Sequence, residues 1–299
     1  MLRALTSAVP ADRLTAVVNT GDDVVLHGLH VSPDVDTVVY TLGGAANPDT
    51  GWGRLGETWE AMGELRALSG GRLAWFNLGD RDLGTHLYRT SRLAEGAGLT
   101  EVTAEIARRF GVAVTVLPMS DDRVETRVTL AGGREVGFQE YFVGLHHEVG
   151  VESVRFAGVE ASRPAAGVIA AVEEAEMVVV CPSNPVVSVA PVLAVPGVGD
   201  AVARRRDRVV AVSPIVAGTA LKGPADRLLT ELGHEASVAG VARMWAPWVG
   251  TLIVDVADAG LAPAVEAAGV RCVVTPTVMS GPAESAALAR AVLGAGAVS

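Results

Sequence analysis

The sequence predicts a mixed α/β protein built on a doubly wound, mostly parallel sheet. Short runs of β-branched residues alternate along the chain with segments in which apolar residues recur every three or four positions. Of the 299 residues, 49% are hydrophobic, which is enough for a large buried core. Because we find no internal repeat and no low-complexity linker, we expect one Rossmann-like domain over residues 1–299, with a β-hairpin insertion at about 120–150.

Seven runs have the length and β-branched content of buried strands: Leu14–Val18, Leu73–Phe76, Ala113–Leu117, Met177–Cys181, Val209–Val212, Thr251–Val254 and Val270–Val274. Five segments between them have a helical period: Glu57–Leu68, Thr100–Phe110, Ala165–Ala175, Ala225–Leu232 and Ala283–Leu293. This is the βαβ pattern of a parallel sheet with helices on both faces. Val124–Val143 differs and predicts an antiparallel hairpin that turns at Gly132-Gly133.

Composition excludes several classes of function. The net charge is −10 and the basic residues are scattered, apart from Arg204–Arg206, which argues against a nucleic-acid surface. The two cysteines, Cys181 and Cys272, fit neither a disulfide scaffold nor a zinc site and favour a reducing compartment. No apolar run reaches the ~18 residues of a membrane span, and the start does not resemble a signal peptide. We therefore expect a cytoplasmic protein without nucleic-acid or membrane partners.

Small, polar or acidic residues follow five of the predicted strands, in the order NTGDD, NLGDRD, PMSDD, PSNP and SPI. Ligands of open parallel sheets bind beyond the carboxyl ends of the strands, so these five loops predict one site. Asp and Asn are also common turn formers, and for any single loop turn chemistry explains the residues equally well.

Four carboxylates, Asp22, Asp23, Asp34 and Asp36, fall within fifteen residues, and Asp80 and Asp82 follow a later predicted strand. Oxygen ligands without a cysteine or histidine cage suit Mg²⁺. The alternative for SPDVDT is an ordinary helix start, with Ser32 or Asp34 as the N-cap.

Other motifs are weak or missing. GWGRLG (Gly51–Gly56) has the glycine spacing of a dinucleotide site but does not follow a strand, so a nicotinamide-dependent dehydrogenase ranks last. There is no GxxxxGK[ST] loop, and His146-His147 lack metal-ligand spacing. Asp82 and His86 form an i,i+4 pair that fits a helix-surface or cap contact as well as a site.

Eight stretches in order carry a resemblance to a known family: NTGDD, SPDVDTVVYTLGG, GWGRLGETW, LGDRDLGTHLYRT, LPMSDDRVET, VVVCPSNPVVSVAPVLAVPG, AVSPI and KGPADRLL. Together they resemble the 2-phospho-L-lactate transferase family, whose actinobacterial branch transfers phosphoenolpyruvate in coenzyme F(420) biosynthesis. The resemblance implies a Mg²⁺-dependent enzyme in which a ribityl hydroxyl of a deazariboflavin attacks the distal phosphorus of a guanosine diphospho-donor and GMP is released. Whether the donor carries phosphoenolpyruvate or phospholactate stays open.

The resemblance also implies residue roles. Asp36 and Asn77 match positions that contact the deazaflavin, while Asp22, Asp23 and Asp34 serve magnesium or substrate orientation. We therefore expect Asp36, Asp22 and Asp23 as catalytic residues and Asp34 and Asp36 as metal ligands. The PSNP loop, through Ser183 and Asn184, and the next strand end, through Ser213, are expected at the guanosine phosphates. For Trp52, packing is a better explanation than a contact with the deazaflavin ring.

Two further expectations follow from the family. Its members begin with a strand and a glycine-rich GGxGGA-type turn, whereas this chain begins with MLRAL, so we expect weak activity and aggregation if Met1 is the true start. A homodimer is expected. The alternative function is a regulatory protein of similar fold that binds UDP-sugars, but VVLHG and SPDVDT after NTGDD favour the transferase.

Overall fold

The computed structural model of the protein describes residues 1–296. Its strands are β1 Thr15–Val18, β2 Val24–Leu26, β3 Leu29–Val31, β4 Thr115–Pro118, β5 Glu125–Leu130, β6 Glu135–Gly137, β7 Val151–Ala157, β8 Val178–Val180, β9 Val209–Val212, β10 Ile215–Val216, β11 Thr219–Ala220, β12 Thr251–Val254 and β13 Arg271–Val274. Its α-helices are α1 Leu2–Leu5, α2 Pro33–Leu42, α3 Glu60–Ser69, α4 Asp80–Ala94, α5 Leu99–Arg109, α6 Val168–Glu174, α7 Ala190–Ala194, α8 Val198–Arg204, α9 Ala225–Glu231, α10 Val238–Trp245, α11 Ala262–Ala267 and α12 Pro282–Gly296.

The parallel strands form two hydrogen-bonded groups. One group pairs β1 with β4, and the other has the order β13-β12-β9-β8. Every residue of β9, Val209–Val212, is buried, because helices cover this strand on both faces. The predicted mixed α/β fold with parallel strands is confirmed.

Antiparallel strands build the rest of the frame. β5 lies between β6 and β7, and β2 pairs with β3. The β2–β3 turn consists of His27 and Gly28, both with positive φ (53° and 79°), as a two-residue hairpin turn of type I′ requires. The predicted hairpin at Gly132-Gly133 is confirmed, but β6 ends at Gly137 and a helical turn follows at Glu140–Gly144.

Six of the seven predicted strands and all five predicted helices are present, with ends shifted by a few residues. The predicted strand Leu73–Phe76 is wrong, because this segment forms turns between α3 and α4. Its Ala74 is buried against Met62 and Leu78, so a local apolar cluster buries the run without strand pairing. The strands β2, β3, β7, β10 and β11 were not predicted.

The helices near the NTGDD loop owe their positions to simple patterns. Pro33 opens α2 at its first turn, where the missing N–H costs nothing. Leu99, Val102 and Ile106 of α5 recur at helical spacing and are buried. Val102 and Ile106 belong to the cluster that also contains Val39 of α2 and Val116 of β4. This packing fixes the start of α2 next to the carboxyl end of β1.

Within residues 1–296, no individual helix has the length and apolar character needed to cross a membrane. One pair of helical segments bent by 94°, Pro185–Ala194 with Val198–Arg204, reaches that threshold by length and composition only.

Candidate active site

A cleft of about 380 Å³ lies beside the NTGDD loop, between the β2–β3 hairpin and the antiparallel β5–β6 strands. Its polar lining includes Asp22, Asp23, Glu125, Arg127 and Glu140. Trp75 and Phe138 supply apolar surface in the same lining. The cleft therefore combines carboxylates with aromatic surface.

Asn19 fixes the loop that carries the acids. Its Oδ1 accepts a hydrogen bond from Gly21 N (2.8 Å), while its Nδ2 donates to Asp34 Oδ2 (3.1 Å) and to the carbonyl of Val187 (3.3 Å). The buried Asn19 thus ties the end of β1 to the start of α2 and to the segment after PSNP. A Cβ on Gly21 would lie 2.7 Å from Thr126 Oγ1, so the loop is packed closely against β5.

Asp22 is a buried acid without a charge partner. Its Oδ1 has no hydrogen-bond partner among the described residues, and its residue is 5% exposed. Burial raises the pKa of Asp22 well above its ordinary value, and the neighbouring carboxylates of Asp34 and Asp23 raise it further. Asp22 therefore takes up a proton far more readily than an exposed aspartate does.

Asp23 is held through one of its two oxygens. Its Oδ2 accepts a hydrogen bond from Ser32 Oγ (2.6 Å) and lies 2.9 Å from His30 Nε2, whereas its Oδ1 is buried with no partner among the described residues. Burial raises the pKa of Asp23, and the contacts with His30 and Ser32 oppose this shift. The predicted helix start at SPDVDT is confirmed, with Ser32 at the N-cap position and Asp34 and Asp36 in the first turn, but the Ser32 hydroxyl donates to Asp23 and forms no capping hydrogen bond.

Asp34 lies in the first turn of α2, where its Oδ2 is oriented by Asn19. Burial raises the pKa of Asp34 to about 6, the Asn19 hydrogen bond lowers it, and the Asp23 carboxylate raises it again. Asp22, Asp23 and Asp34 thus form one electrostatically coupled group, which we call the acid cluster.

Asp36 lies two residues after Asp34 in the first turn of α2, but its side chain is inside the protein and does not line the cleft. Its Oδ1 forms an ion pair with Arg89 Nη2 of α4, and Arg89 is completely buried. His86 Nδ1 lies 3.7 Å from Asp36 Oδ2 and 3.3 Å from Arg89 Nη1. Burial lowers the pKa of His86 to about 4, so the ring is neutral and its Nδ1 accepts from Arg89.

The Asp82–His86 pair is buried rather than superficial, so a helix-surface contact is wrong. Burial raises the pKa of Asp82 to about 6, and the nearby Asp36 and Glu57 carboxylates also raise it. Tyr40 closes this region by donating its hydroxyl to Thr85 Oγ1 (2.9 Å). The second group of acids therefore surrounds a buried arginine.

Asp80 has a structural role that the sequence did not suggest. Its carboxylate accepts hydrogen bonds from Thr58 Oγ1 (2.6 Å) and from the N–H groups of Glu60 (2.9 Å) and Ala61 (3.1 Å), which caps α3. Glu57 in turn accepts from the N–H groups that begin α4, at 2.8 and 3.0 Å. The two helices thus cap each other, and the predicted strand end at Asn77 is instead a half-buried loop position.

The PSNP loop is a helix entry. Asn184 Oδ1 accepts from the N–H groups of Val186 (2.9 Å) and Val187 (3.3 Å), which starts the helical turn Pro185–Val189. Ser213 Oγ donates to the carbonyl of Ile215 (2.9 Å) and accepts from Ile215 N (3.1 Å). The Ser213 hydroxyl is therefore used within its own turn.

The predicted site residues thus fall into separate places. Asp22 and Asp23 line the cleft, and Asp34 is joined to them through the acid cluster. Asp36, Asn77, Ser183, Asn184 and Ser213 are not part of the cleft lining. Trp52 is 51% exposed, so packing does not explain it. Three supporting residues were missed, namely Asn19, His30 and Arg89.

The acid cluster offers the hard oxygen donors that Mg²⁺ prefers. Asp22 Oδ1 and Asp23 Oδ1 are buried and have no partner among the described residues. No three histidine, cysteine, aspartate or glutamate side chains of residues 1–296 are grouped closely enough to enclose a metal ion by themselves. Because Mg²⁺ keeps several waters and shares substrate oxygens, one or two carboxylates are a sufficient protein contribution.

A mixed α/β frame that brings buried carboxylates to the edge of a cleft is typical of enzymes that act on charged small molecules. The family described as 2-phospho-L-lactate transferase CofD matches residues 1–269. The chain belongs to this family, and it is a transferase.

Relatives and solved structures extend the comparison. A phosphoenolpyruvate transferase of Kitasatospora aureofaciens is 45% identical over 297 residues, covering 98% of this chain and 92% of the relative. A protein of the same name from Streptomyces griseus is 45% identical over 298 residues, covering 98% and 93%. A crystal structure of a UPF0052 family member from Bacillus halodurans aligns with a TM-score of 0.61 and 18% identity, covering 98% of this chain and 94% of that chain. The last comparison supports the fold.

Proposed function

We propose that this transferase moves a phosphoenolpyruvyl or 2-phospho-L-lactyl group from a guanosine diphospho-donor to the ribityl hydroxyl of 7,8-didemethyl-8-hydroxy-5-deazariboflavin, with release of GMP, in coenzyme F(420) biosynthesis. Membership of the 2-phospho-L-lactate transferase family supports the reaction class. The names of the 45% identical relatives favour phosphoenolpyruvate as the transferred group. A cytoplasmic location and a homodimer stay predictions.

The acid cluster is the observation that carries this proposal. Desolvation and neighbouring carboxylates raise the pKa values of Asp22 and Asp34, and desolvation raises that of Asp23, so the three ionised carboxylates destabilise the protein alone. A bound cation removes this cost. Phosphoryl transfer needs such a cation, since a diphosphate must be neutralised before a hydroxyl oxygen can approach its phosphorus.

Asp23 and Asp34 are the residues that would hold Mg²⁺. Ser32 and His30 orient the Oδ2 of Asp23, and Asn19 orients the Oδ2 of Asp34. Metal-binding side chains are commonly oriented by hydrogen bonds of this kind. Asp36 remains a predicted ligand, but its Oδ1 is engaged with Arg89, a contact that competes with a metal. Bound Mg²⁺ would supply charge neutralisation at the donor phosphates.

Asp22 is the proposed proton acceptor. The acceptor hydroxyl oxygen bonds to the distal phosphorus, the bond between this phosphorus and the bridging oxygen breaks, and GMP leaves with the electron pair. The hydroxyl proton passes to Asp22, whose Oδ1 has no hydrogen-bond partner within residues 1–296 and whose raised pKa makes it a stronger base than an exposed aspartate. Asp23 and Asp34 would act on the phosphates only through the Mg²⁺ that they would hold, which would keep the donor in line for this displacement.

The PSNP loop is the proposed contact for the guanosine phosphates. Asn184 uses its Oδ1 for the helix entry, and its Nδ2 donates to no acceptor within residues 1–296, so an anionic oxygen can take that hydrogen bond. Asn19 joins this segment to the acid cluster through the Val187 carbonyl. Ser183 completes the proposed contact. Ser213, whose hydroxyl is internally bonded, contributes at most its backbone.

Asp36 and Asn77 are proposed to contact the deazaflavin. The Arg89 ion pair fixes the position of the Asp36 carboxylate, so this carboxylate can orient a ligand group. Trp75, which neighbours Asn77 in sequence and lines the cleft with 37% exposure, is available to pack on a flat ring.

The test is a turnover assay with the guanosine diphospho-donor and the deazariboflavin, in which GMP and the phosphodiester product are quantified. Asp22→Asn should lower kcat at least about 100-fold, since a general base contributes that much. Asp207→Asn is the matched control, because this carboxylate is 94% exposed. Full activity of Asp22→Asn, or turnover in excess chelator, would contradict the proposed mechanism. Saturable binding of a UDP-sugar without turnover would favour the regulatory alternative.

A further inference from the structure

A second cavity of about 420 Å³ lies outside the acid cluster, between α4, α5 and the loop that precedes α3. Three arginines line it: Arg54 from the loop, Arg81 from the first turn of α4 and Arg109 from the last turn of α5. Tyr88 and Phe110 supply aromatic lining. In a chain with a net charge of −10, three cationic side chains around one cavity are unusual. We call this cavity the arginine pocket.

None of these three arginines forms an ion pair with a described residue. Arg54 Nη1 donates to the carbonyl of Arg81 (3.1 Å), and Arg81 Nη1 donates to the carbonyl of Leu55 (2.9 Å). Among residues 1–296, no salt bridge within 4.0 Å involves Arg54, Arg81 or Arg109. The positive charge of the pocket is therefore not neutralised by a direct partner.

The one glutamate in the lining is already occupied. Glu105 Oε1 accepts from Arg92 Nη2 (3.0 Å), and its Oε2 accepts from Arg92 Nε (3.1 Å) and from the Tyr88 hydroxyl (2.8 Å). These bonds lower the pKa of Glu105, so it stays ionised and bound to Arg92. Glu105 is therefore engaged with Arg92, whose guanidinium also pairs with Glu95 (2.7 Å) and Glu101 (3.1 Å), and it forms no ion pair with the three pocket arginines.

Aromatic rings hold two of the guanidinium groups in place. The Arg54 guanidinium carbon lies 5.0 Å from the ring centre of Phe110 and 5.7 Å from that of Tyr40, and the carbon of Arg109 lies 5.9 Å from the ring centre of Phe110. A guanidinium stacked on a ring keeps its N–H edges free for an oxyanion. Two like charges near one ring repel each other, and a bound anion offsets that repulsion.

The geometry points to an oxyanion site: we propose that the arginine pocket binds a phosphate group, either free or carried as a monoester by a small organic molecule. Planar guanidinium groups match the spacing of phosphate oxygens and form paired charge-assisted hydrogen bonds with them. The site is independent of the transferase proposal. Thr85, whose hydroxyl accepts from Tyr40, lies in the wall between the pocket and the buried Asp36–Arg89 pair.

Another explanation applies to Arg109 alone, since cations in the last turn of a helix are favoured by the helix dipole. Arg108 precedes it in the same turn of α5, is also exposed, and does not line the pocket. Arg108→Gln and Arg109→Gln therefore change the net charge equally and affect the same helix end. Only the second change removes a pocket guanidinium.

The experiment is isothermal titration calorimetry of the full chain with inorganic phosphate and, separately, with ribose 5-phosphate. Ionic strength is held constant, and a chelator is present so that no metal can recruit phosphate to the acid cluster. The wild type should show a saturable site that Arg109→Gln weakens at least about tenfold and that Arg108→Gln leaves within about twofold. Tighter binding of ribose 5-phosphate than of phosphate would assign the site to an organic monoester, and the reverse to free phosphate.

Three outcomes would overturn the proposal: no saturable binding of either probe by the wild type, unchanged affinity in Arg109→Gln, or an equal loss in Arg108→Gln. Arg109 is exposed and donates to no described residue, so its replacement leaves the fold intact, which circular dichroism verifies. If the protein shows no turnover but binds phosphate in this titration, the transferase proposal fails and the arginine-pocket proposal stands.

Discussion

Replacing Arg89 tests the buried part of the site most sharply. The Arg89 side chain is fully buried and its partner Asp36 is 7% exposed, so Arg89→Met leaves a carboxylate in the interior without its counter-charge. Removing one partner of a buried ion pair costs about 3–5 kcal/mol. The hydrogen bonds from Arg89 Nη1 to the His30 carbonyl (3.3 Å) and to His86 are lost as well, while methionine retains part of the buried stem.

The assay is equilibrium unfolding in urea, followed by circular dichroism at pH 8. At pH 8 His86 stays neutral and cannot replace the lost charge, because its pKa is about 4. The unpaired Asp36 carboxylate raises this pKa, but burial of the ring opposes the change. We expect the free energy of unfolding to fall by about 3–5 kcal/mol in Arg89→Met. Adding Asp36→Asn to this variant should recover at least about half of the loss, because the unpaired charge is then removed.

The matched control is Arg204→Met, which breaks an exposed pair with Glu173 (2.6 Å; side chains 60% and 46% exposed). Such surface pairs contribute about 0–1 kcal/mol. A loss below about 1 kcal/mol in Arg89→Met, or no recovery in the double variant, would refute the buried ion pair as described.

Three further predictions address the acid cluster and the helix caps. Asn19→Ala should lower the free energy of unfolding by about 1–3 kcal/mol and lower kcat, because the Asn19 side chain ties the NTGDD loop both to Asp34 of α2 and to Val187; an unchanged urea midpoint would argue against this role. The folded-state pKa of Asp34, about 6, exceeds its ordinary value of 3.8, so its ionisation costs stability as pH rises from about 4 through 6. Asp34→Asn should therefore gain on the order of 1–3 kcal/mol relative to wild type between pH 4 and pH 7 in the presence of a chelator, and a pH-independent difference would exclude the raised pKa. Glu57→Ala should destabilise the protein by about 0.5–2 kcal/mol by uncapping α4, and an equal loss in the exposed control Glu64→Ala would remove the cap as the cause.

Periodicity predicted the frame because local pattern and tertiary burial agree there. Val209–Val212 is apolar throughout and lies in the middle of a covered parallel sheet. Leu73–Phe76 shows where this reasoning fails, because four apolar residues fit a strand or a packed turn equally well. Only the neighbouring α3 and α4, which cap each other, decide between the two.

The candidate site was predictable where the residues are close in sequence. Asp22, Asp23 and Asp34 were expected together, and the structure brings them into one cluster. The role of Arg89 could not be predicted, because no local sequence pattern indicates that it pairs with Asp36, which lies 53 positions earlier in the chain. The sequence shows only that Arg89 shares a helix face with Asp82 and His86, and this spacing does not identify its partner.

One measurement tests both the magnesium proposal and the transfer reaction. Phosphorus NMR of a mixture of the guanosine diphospho-donor, the deazariboflavin and the enzyme follows GMP and the new phosphodiester in the same spectrum. The proposed mechanism predicts that both signals rise in equal amounts with Mg²⁺, that both stop when a chelator is added, and that Asp22→Asn slows both while Asp207→Asn slows neither. GMP without phosphodiester, or product formation at an undiminished rate in the chelator, would contradict it.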